Sequence, residues 1–328
     1  MMHYLEKIYL LLAEKLQGDF VTIHRRPISA SRVGTWSDPA VRTDKVAIVM
    51  QGPLLLKNDF TLETIRIYKK NFTDTEIIVS TWEGEDAVCV ENLRKEGVTV
   101  LLNKTPEYPG ISHINYQIVS TRAGIEHTAK NGAEYVLKTR TDQRMYAPNI
   151  REFLLNLIET FPVAQGFTQK KRIIVASLNT FKYRLYSPTD MFMFGTAEDM
   201  TAYWSVVLDT RKEFSNKRET IREWATLDAC ETYLATRFLK KIGRKISWTL
   251  EDSWRAYSDH FSIVDSENLD LYWRKYDYYK EYRDRAYDGI KNSVFLNFRE
   301  WFILYANKKD IHAPEDILDT VFGQTISL

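Results

Sequence analysis

Cysteine is almost missing from this sequence. The chain of 328 residues has two, Cys89 and Cys230, far apart and in no C-x-x-C pattern. That excludes a disulfide scaffold and a zinc ribbon, and it fits manufacture in a reducing compartment. Net charge is nearly absent as well: 45 Lys+Arg against 44 Asp+Glu leave +1. A bulk-electrostatic nucleic-acid binder is far more basic, so no nucleic-acid partner is expected. Long apolar runs are missing too. The stretch Ile8 to Ala13 is bracketed by Glu6, Lys7, Glu14 and Lys15, and no A-x-A-like cleavage site follows it. It is too short to span a bilayer, so a cytoplasmic protein is expected, soluble or peripheral on the inner membrane face. Neither G-x-G-x-x-G nor G-x-x-x-x-G-K-[ST] occurs, which leaves a dinucleotide fold and a P-loop without support. No H-E-x-x-H, G-x-S-x-G or Cys/His nucleophile pattern is present.

What is present is ordinary globular composition, 44% hydrophobic and 27% charged, with enough chain for one large α/β domain or two smaller ones. Aromatic residues reach 13%, a richness shared by sugar-handling proteins and by well-packed cores. Residues 4–17 read as a small amphipathic helix, with Leu5, Ile8, Leu12 and Leu16 on one face. The stretch from Gly18 to Asp44 is polar and broken by Pro27, Gly34 and Pro39.

Regular alternation begins at Lys45. Short continuous apolar runs at 46–50, 77–81, 98–102 and 135–139 read as strands buried on both faces. Helical patterns lie between them: from Asn58 or Asp59 as a cap to Lys70, from Glu85 to Lys95 with Gly97 as C-cap, and from His113 to Lys130. Strands alternating with helices mean βαβ units and a parallel sheet. Further on, helices are expected at 149–160, 196–208 and 219–241, and strands at 172–177 and 190–194.

In a parallel sheet ligands sit outside the carboxyl ends of the strands. That rule selects Gln51–Leu55, Thr81–Glu85 and Arg140–Arg144. The string Lys138-Thr-Arg-Thr-Asp-Gln-Arg144 follows the fourth strand. Its Asp142 can hold Mg²⁺ or Mn²⁺ against a diphosphate, while Lys138, Arg140 and Arg144 can meet phosphate directly; a solvated loop with a local ion pair is the plainer alternative. Gly52, in Gln51-Gly52-Pro53, permits close approach of a ligand. Trp82 can stack on a base or sugar, and Glu83 can accept from ribose hydroxyls; a core tryptophan is the alternative. Asn115 and Gln117, at the start of the long helix, are amide readers or capping residues. Asp190 precedes an apolar run and can serve as a general base. The helix near Leu227 to Leu239 carries Asp228 and Glu231, spaced i, i+3 and so on one face, which makes Glu231 a second candidate base; a solvated pair is the alternative. His260 is a candidate metal or phosphate ligand, with a core or surface role as the alternative.

These segments together resemble the WavE lipopolysaccharide synthesis family of bacterial glycosyltransferase-like proteins. The carriers are Val46-Ala-Ile-Val-Met-Gln-Gly-Pro53, Ile77-Ile-Val-Ser-Thr-Trp82, Asn115-Tyr-Gln-Ile-Val-Ser-Thr121, Lys138-Thr-Arg-Thr-Asp-Gln-Arg144 and Ser187-Pro-Thr-Asp-Met-Phe-Met-Phe-Gly195, in order over roughly 45–239. The resemblance implies a GT-A-like α/β fold, a mostly parallel sheet flanked by helices. It implies a nucleotide-sugar donor and a lipopolysaccharide or other surface-glycan acceptor, free or lipid-linked. By that analogy Gln51, Gly52, Pro53, Thr81 and Trp82 lie near the nucleotide, and Asp142 takes the place of the acidic metal motif. One departure stands. Metal-dependent GT-A enzymes carry D-x-D, whereas this chain reads Thr141-Asp142-Gln143, a single acid among basic residues. That leaves Arg140 or Arg144 to do part of a metal's work.

The chain is therefore expected to hold a lead-in over 1–44, a transferase domain over 45–266 and a helical extension over 267–328. The expected activity is glycosyl transfer. A sugar nucleotidyltransferase is the enzyme rival, poorly served by the loop Gln51-Gly-Pro-Leu-Leu-Leu-Lys57. A non-catalytic sugar-binding subunit of a glycan assembly complex is the other rival. In the extension, Tyr272, Trp273, Tyr276, Tyr279 and Tyr282 alternate with Arg274, Lys275, Lys280, Arg283 and Arg285, which suits peripheral membrane contact or packing on the main domain.

Overall fold

The computed structural model describes residues 2–17, 24–34, 43–211, 219–227, 229–277, 294–307 and 310–321. In chain order the elements are α1 (Met2–Gln17), β1 (Val46–Gln51), α2 (Phe60–Asn71), β2 (Glu76–Trp82), α3 (Ala87–Lys95), β3 (Thr99–Asn103), α4 (Ile114–Lys130), β4 (Tyr135–Arg140), β5 (Gln143–Met145) and α5 (Ile150–Thr160). There follow β6 (Ile173–Ala176), β7 (Met193–Thr196), α6 (Ala197–Trp204), α7 (Ile221–Leu227), α8 (Cys230–Lys241), α9 (Leu250–His260), β8 (Phe261–Val264), β9 (Leu271–Trp273), α10 (Arg274–Asp277) and α11 (Phe298–Ala306).

Seven strands form one sheet in the order β3-β2-β1-β4-β7-β6-β8. Six run parallel, and β7 alone is reversed, antiparallel to both β4 and β6. A separate ribbon pairs β5 with β9. The continuous apolar runs are explained by helices on both faces. Val49 and Val136 enter a core with residues of α4, α6, α8, α9 and α11. Their strand neighbours Ile48, Met50 and Leu137 enter the opposite core with residues of α2, α3 and α5. Helix α4 lies very close to β1: a Cβ on Gly124 would stand 2.4 Å from Val49 Cγ1.

Four local expectations change. Asn58 and Asp59 do not cap α2. Both adopt left-handed backbone, and Asp59 makes no capping bond; the Leu55 N–H donates instead to Thr61 Oγ1. The helix read over 219–241 breaks at extended Ala229 into α7 and α8. Because α8 begins at Cys230, the spacing of Asp228 and Glu231 does not define a helical face, and Asp228 lies outside the described residues. The run at 190–194 pairs only from Met193, which leaves Asp190 in the preceding loop. Finally, Tyr272 and Trp273 belong to a strand, with Trp273 opposite Gln143. Trp273 is in the core, so it is not part of a membrane-facing surface. Tyr279, Lys280, Tyr282, Arg283 and Arg285 lie outside the described residues.

Helix α1 forms as expected, and Leu5, Ile8, Leu12 and Leu16 are exposed on it. Among the described residues no helix is long and apolar enough to cross a membrane.

Candidate active site

The carboxyl edge of the sheet is assembled by register. Gln51 pairs with Ser80 on one side and Arg140 on the other, and Lys138 pairs with Met193 of the reversed strand. The turn after β1 needs its glycine. Gly52 has φ +119°, and a Cβ there would meet Thr141 Oγ1 at 3.0 Å. Thr141 Oγ1 donates to the Pro53 carbonyl (2.6 Å), and the Thr141 N–H donates to the Gln51 carbonyl (3.1 Å). The exits of β1 and β4 are thereby tied together. Glu85, the last residue of the selected Thr81–Glu85 segment but given no role there, ties in β2: its Oε1 accepts from Thr81 Oγ1 (2.6 Å) and the Leu54 N–H (3.0 Å). Trp82 meets Tyr116 edge-on at 5.2 Å, and Glu83 beside it is exposed. The Gln51 side chain is buried and accepts from Ser120 Oγ at 3.4 Å.

Beyond β4 the chain closes a bidentate ion pair. Arg140 Nε donates to Asp142 Oδ1 (2.7 Å) and Nη2 to Oδ2 (2.9 Å). Both side chains remain about one-fifth exposed, at 19% and 20%. Burial pushes the Asp142 carboxyl up, but the Arg140 guanidinium outweighs it and holds the group below the usual carboxylate range, with the Trp273 indole adding to the effect. The Arg140 guanidinium stands 5.5 Å from the Trp273 ring.

One layer deeper lie Lys138, Asp190 and Glu231. The Lys138 amine is fully buried, donates to the Asp190 carbonyl and sits 5.0 Å from the Trp204 ring. The Asp190 side chain is fully buried, and neither carboxylate oxygen has a partner outside its own residue. Burial pushes its carboxyl up; the Lys138 charge opposes this and the Glu231 charge adds to it. Burial likewise pushes the Lys138 amine down. Glu231 accepts from Cys230 Sγ (3.2 Å) and stands 4.0 Å from Arg184. Arg184 is clamped between the rings of Phe181 and Trp224 at 3.6 and 3.9 Å. Burial raises the Cys230 thiol well above its ordinary value, so it is a neutral packing group and no nucleophile.

Three sequence candidates are placed elsewhere. Arg144 is 1% exposed. Its guanidinium donates to Thr64 Oγ1 (2.9 Å) and to the carbonyls of Phe60 (2.9 Å) and Ile28 (2.7 Å), and it stacks on Phe60. It anchors α2 and the lead-in. Asn115 spends its amide on the backbone of Tyr108 and Asp209, which fixes the loop before α4; the nearby Gln117 is buried with its Oε1 unpartnered. His260 precedes β8, so it sits at the amino edge of the sheet, opposite the site. Its Nδ1 meets Gln169 Oε1 at 2.8 Å. Burial, with Arg244 and Arg172 nearby, pushes its imidazole down to about 3. It is a neutral core histidine. Among the described residues no three His, Cys, Asp or Glu side chains converge as a metal site.

A parallel sheet interrupted by one reversed strand, with a small ribbon beside its carboxyl edge, defines the GT-A-like class of nucleotide-diphospho-sugar transferase folds. Residues 46–309 match the family described as WavE lipopolysaccharide synthesis, and the chain belongs to that family. No curated protein matches the sequence. Solved structures show distant similarity. A mannosyltransferase from Pyrobaculum calidifontis, in complex with GDP-Man and Mn²⁺, is 12% identical over 73% of this chain and 61% of that one, with TM-score 0.36. A 4-diphosphocytidyl-2C-methyl-D-erythritol synthase from Anaerococcus prevotii is 10% identical over 81% and 96%, with TM-score 0.37. TarS from S. aureus is 10% identical over 65% and 39%, with TM-score 0.35.

Proposed function

We propose that this chain is a glycosyltransferase that moves a sugar from a nucleotide-activated donor to a lipopolysaccharide or other surface-glycan acceptor on the cytoplasmic side of the membrane. Membership of a lipopolysaccharide synthesis family supports the acceptor class. The observation that carries the chemistry is the arrangement around β4: a partly exposed cation, Arg140, near a buried carboxylate, Asp190, whose oxygens have no hydrogen-bond partner outside their own residue.

Glycosyl transfer needs stabilisation of the leaving diphosphate. It also needs a base for the acceptor hydroxyl when configuration inverts. Arg140 suits the first task. Asp190 suits the second better than Glu231, because Glu231 accepts from Cys230 and stands beside Arg184, while neither Asp190 carboxylate oxygen has a hydrogen-bond partner outside its own residue and burial raises its proton affinity. The residues do not fit a divalent ion: Asp142 is a lone carboxylate and Arg140 occupies both its oxygens.

The test is turnover with a panel of nucleotide sugars and a purified surface-glycan acceptor. Asp190→Asn, with its fold checked by circular dichroism, should lose a factor of about 10² or more in rate while still binding the donor. Wild-type turnover in that variant would remove Asp190 from the reaction. Pyrophosphate release from a nucleoside triphosphate and a sugar 1-phosphate would identify a nucleotidyltransferase instead. Donor binding without any transfer would identify a binding subunit.

A further inference from the structure

We infer that this site neutralises the donor's diphosphate with the Arg140 guanidinium and no divalent cation, Asp142 serving as a latch that holds Arg140 until the diphosphate displaces it. The inference rests on the nucleotide-sugar reading above and specifies how that donor is held.

The donor set argues against a metal. Mg²⁺ and Mn²⁺ prefer octahedral oxygen ligands with at least one or two carboxylates from the protein. Here both Asp142 oxygens are taken by one guanidinium. Its neighbours offer nothing in exchange. Thr141 Oγ1 is spent on the Pro53 carbonyl. Gln143 is fully buried, with its Oε1 turned to Thr139 Oγ1 at 3.3 Å. Asp190 and Glu231 lie deeper, against Lys138 and Arg184.

The choice of cation follows from exposure. The string holds three: Lys138 is 0% exposed and Arg144 1%, and both are tied to protein groups. The Arg140 side chain is 19% exposed. Its fork already grips a carboxylate through two parallel hydrogen bonds, and the same fork matches two phosphate oxygens. Trp273, 5.5 Å away, restricts the guanidinium. Swapping carboxylate for phosphate exchanges one ion pair for another and breaks no covalent bond. The released Asp142 carboxylate turns to water.

A latch and a metal ligand respond oppositely to the same substitution, and this decides the matter. The full chain is titrated calorimetrically with UDP, GDP, CDP and ADP, each once in Mn²⁺ and once in EDTA. The expected result is that the nucleoside diphosphate that binds does so with the same Kd in both buffers, within about twofold. Arg140→Met should weaken it about tenfold or more, whereas Asp142→Asn should bind equally or a few-fold more tightly. Loss of about tenfold on adding EDTA overturns the inference without any variant. So does an Asp142→Asn protein of unchanged thermal midpoint that binds as poorly as Arg140→Met. Either result leaves the nucleotide-sugar reading standing. Binding of none of the four in either buffer overturns that reading and this inference with it.

Discussion

Replacing Gly124 by alanine would place a methyl carbon 2.4 Å from Val49 Cγ1 and 3.3 Å from Val49 Cγ2. Ordinary carbon contacts begin near 3.5 Å, so helix and strand must part by about 1 Å or Val49 must leave its rotamer. Overpacking of this kind costs about 1–3 kcal/mol. The required displacement, against a Val49 that is fully buried, puts the cost near the upper end. Alanine returns roughly 1 kcal/mol through helix propensity. The net expectation is a loss of about 2 kcal/mol, or roughly 3 °C in Tm for a chain of this size. Urea and thermal unfolding measure it. The reasoning is tested further by Val49→Ala, which alone should cost about 2 kcal/mol through lost burial and a cavity. In the double variant the methyl added at position 124 occupies the space that the two valine methyls leave, so the double should be no less stable than Val49→Ala. That is a coupling of about 2 kcal/mol. Strict additivity, or a Gly124→Ala protein as stable as wild type, would refute the close approach of α4 to β1. The contact also bears on the site, because α4 carries Ser120, whose hydroxyl rests on Gln51.

Lys138→Met and Asp190→Asn should each destabilise the fold by about 3 kcal/mol, since each leaves a buried charge without its counter-charge. The double variant should lose clearly less than the sum, and additive denaturant midpoints would mean that the two do not interact. Arg144→Lys should cost about 2 kcal/mol in urea unfolding, because a lysine cannot replace the planar fork that joins Thr64, Phe60 and Ile28. It should leave nucleotide affinity unchanged; weakened binding at full stability would return Arg144 to the site. His260 sets a pH dependence. Its folded value lies near 3 against 6.5 in the unfolded chain, so the unfolded state binds the extra proton between those values. Stability is then fully present above about pH 6.5 and falls by up to roughly 1.4 kcal/mol per pH unit below it. His260→Gln should flatten that part of the stability-pH curve; an unchanged slope would place the titration elsewhere.

The left half of the sheet was legible because its signals are local. Strands β1 to β4 are apolar runs short enough to exclude helices, and Gly52, Gly97 and Gly132 punctuate them. The carboxyl-edge rule then located Gln51, Trp82 and Asp142. What was not legible depends on pairings between distant residues. Nothing near Asp190 announces that the following strand runs backwards between β4 and β6, which brings the Asp190 loop to the carboxyl edge over Lys138. Arg140 and Arg144 look equivalent on paper. The chain turns at Thr141 and Asp142, however, and Arg144 is delivered to the start of α2 while Arg140 remains at the edge. Asn58 and Asp59 have the composition of a cap, but their backbone is left-handed and the Thr61 hydroxyl serves the turn. His260, in a late segment after Trp254, invited a role in the site, yet a residue just before a parallel strand lies at the opposite edge.

The C-terminal segment changes most between the two descriptions, and the physical reason is the small ribbon. Read by composition, the run of aromatic and basic residues from Tyr272 to Arg285 suits contact with lipid or packing on the main domain. In the structure β9 pairs with β5, the three residues that follow the Arg140–Asp142 turn. The Arg274 N–H donates to the Asp142 carbonyl at 3.1 Å. Trp273 enters the core beneath the ion pair and contributes to holding the Asp142 carboxyl ionised. The turn that presents Arg140 is therefore shaped from two sides. Thr141 binds it to the β1 turn, and the tail binds it through β9. Farther along, Trp301 is fully buried, and Arg172 lies over its ring at 5.7 Å, fixing α11 against the sheet near β6 and β8. Residues 271–274 thus frame the turn that carries Arg140 and Asp142.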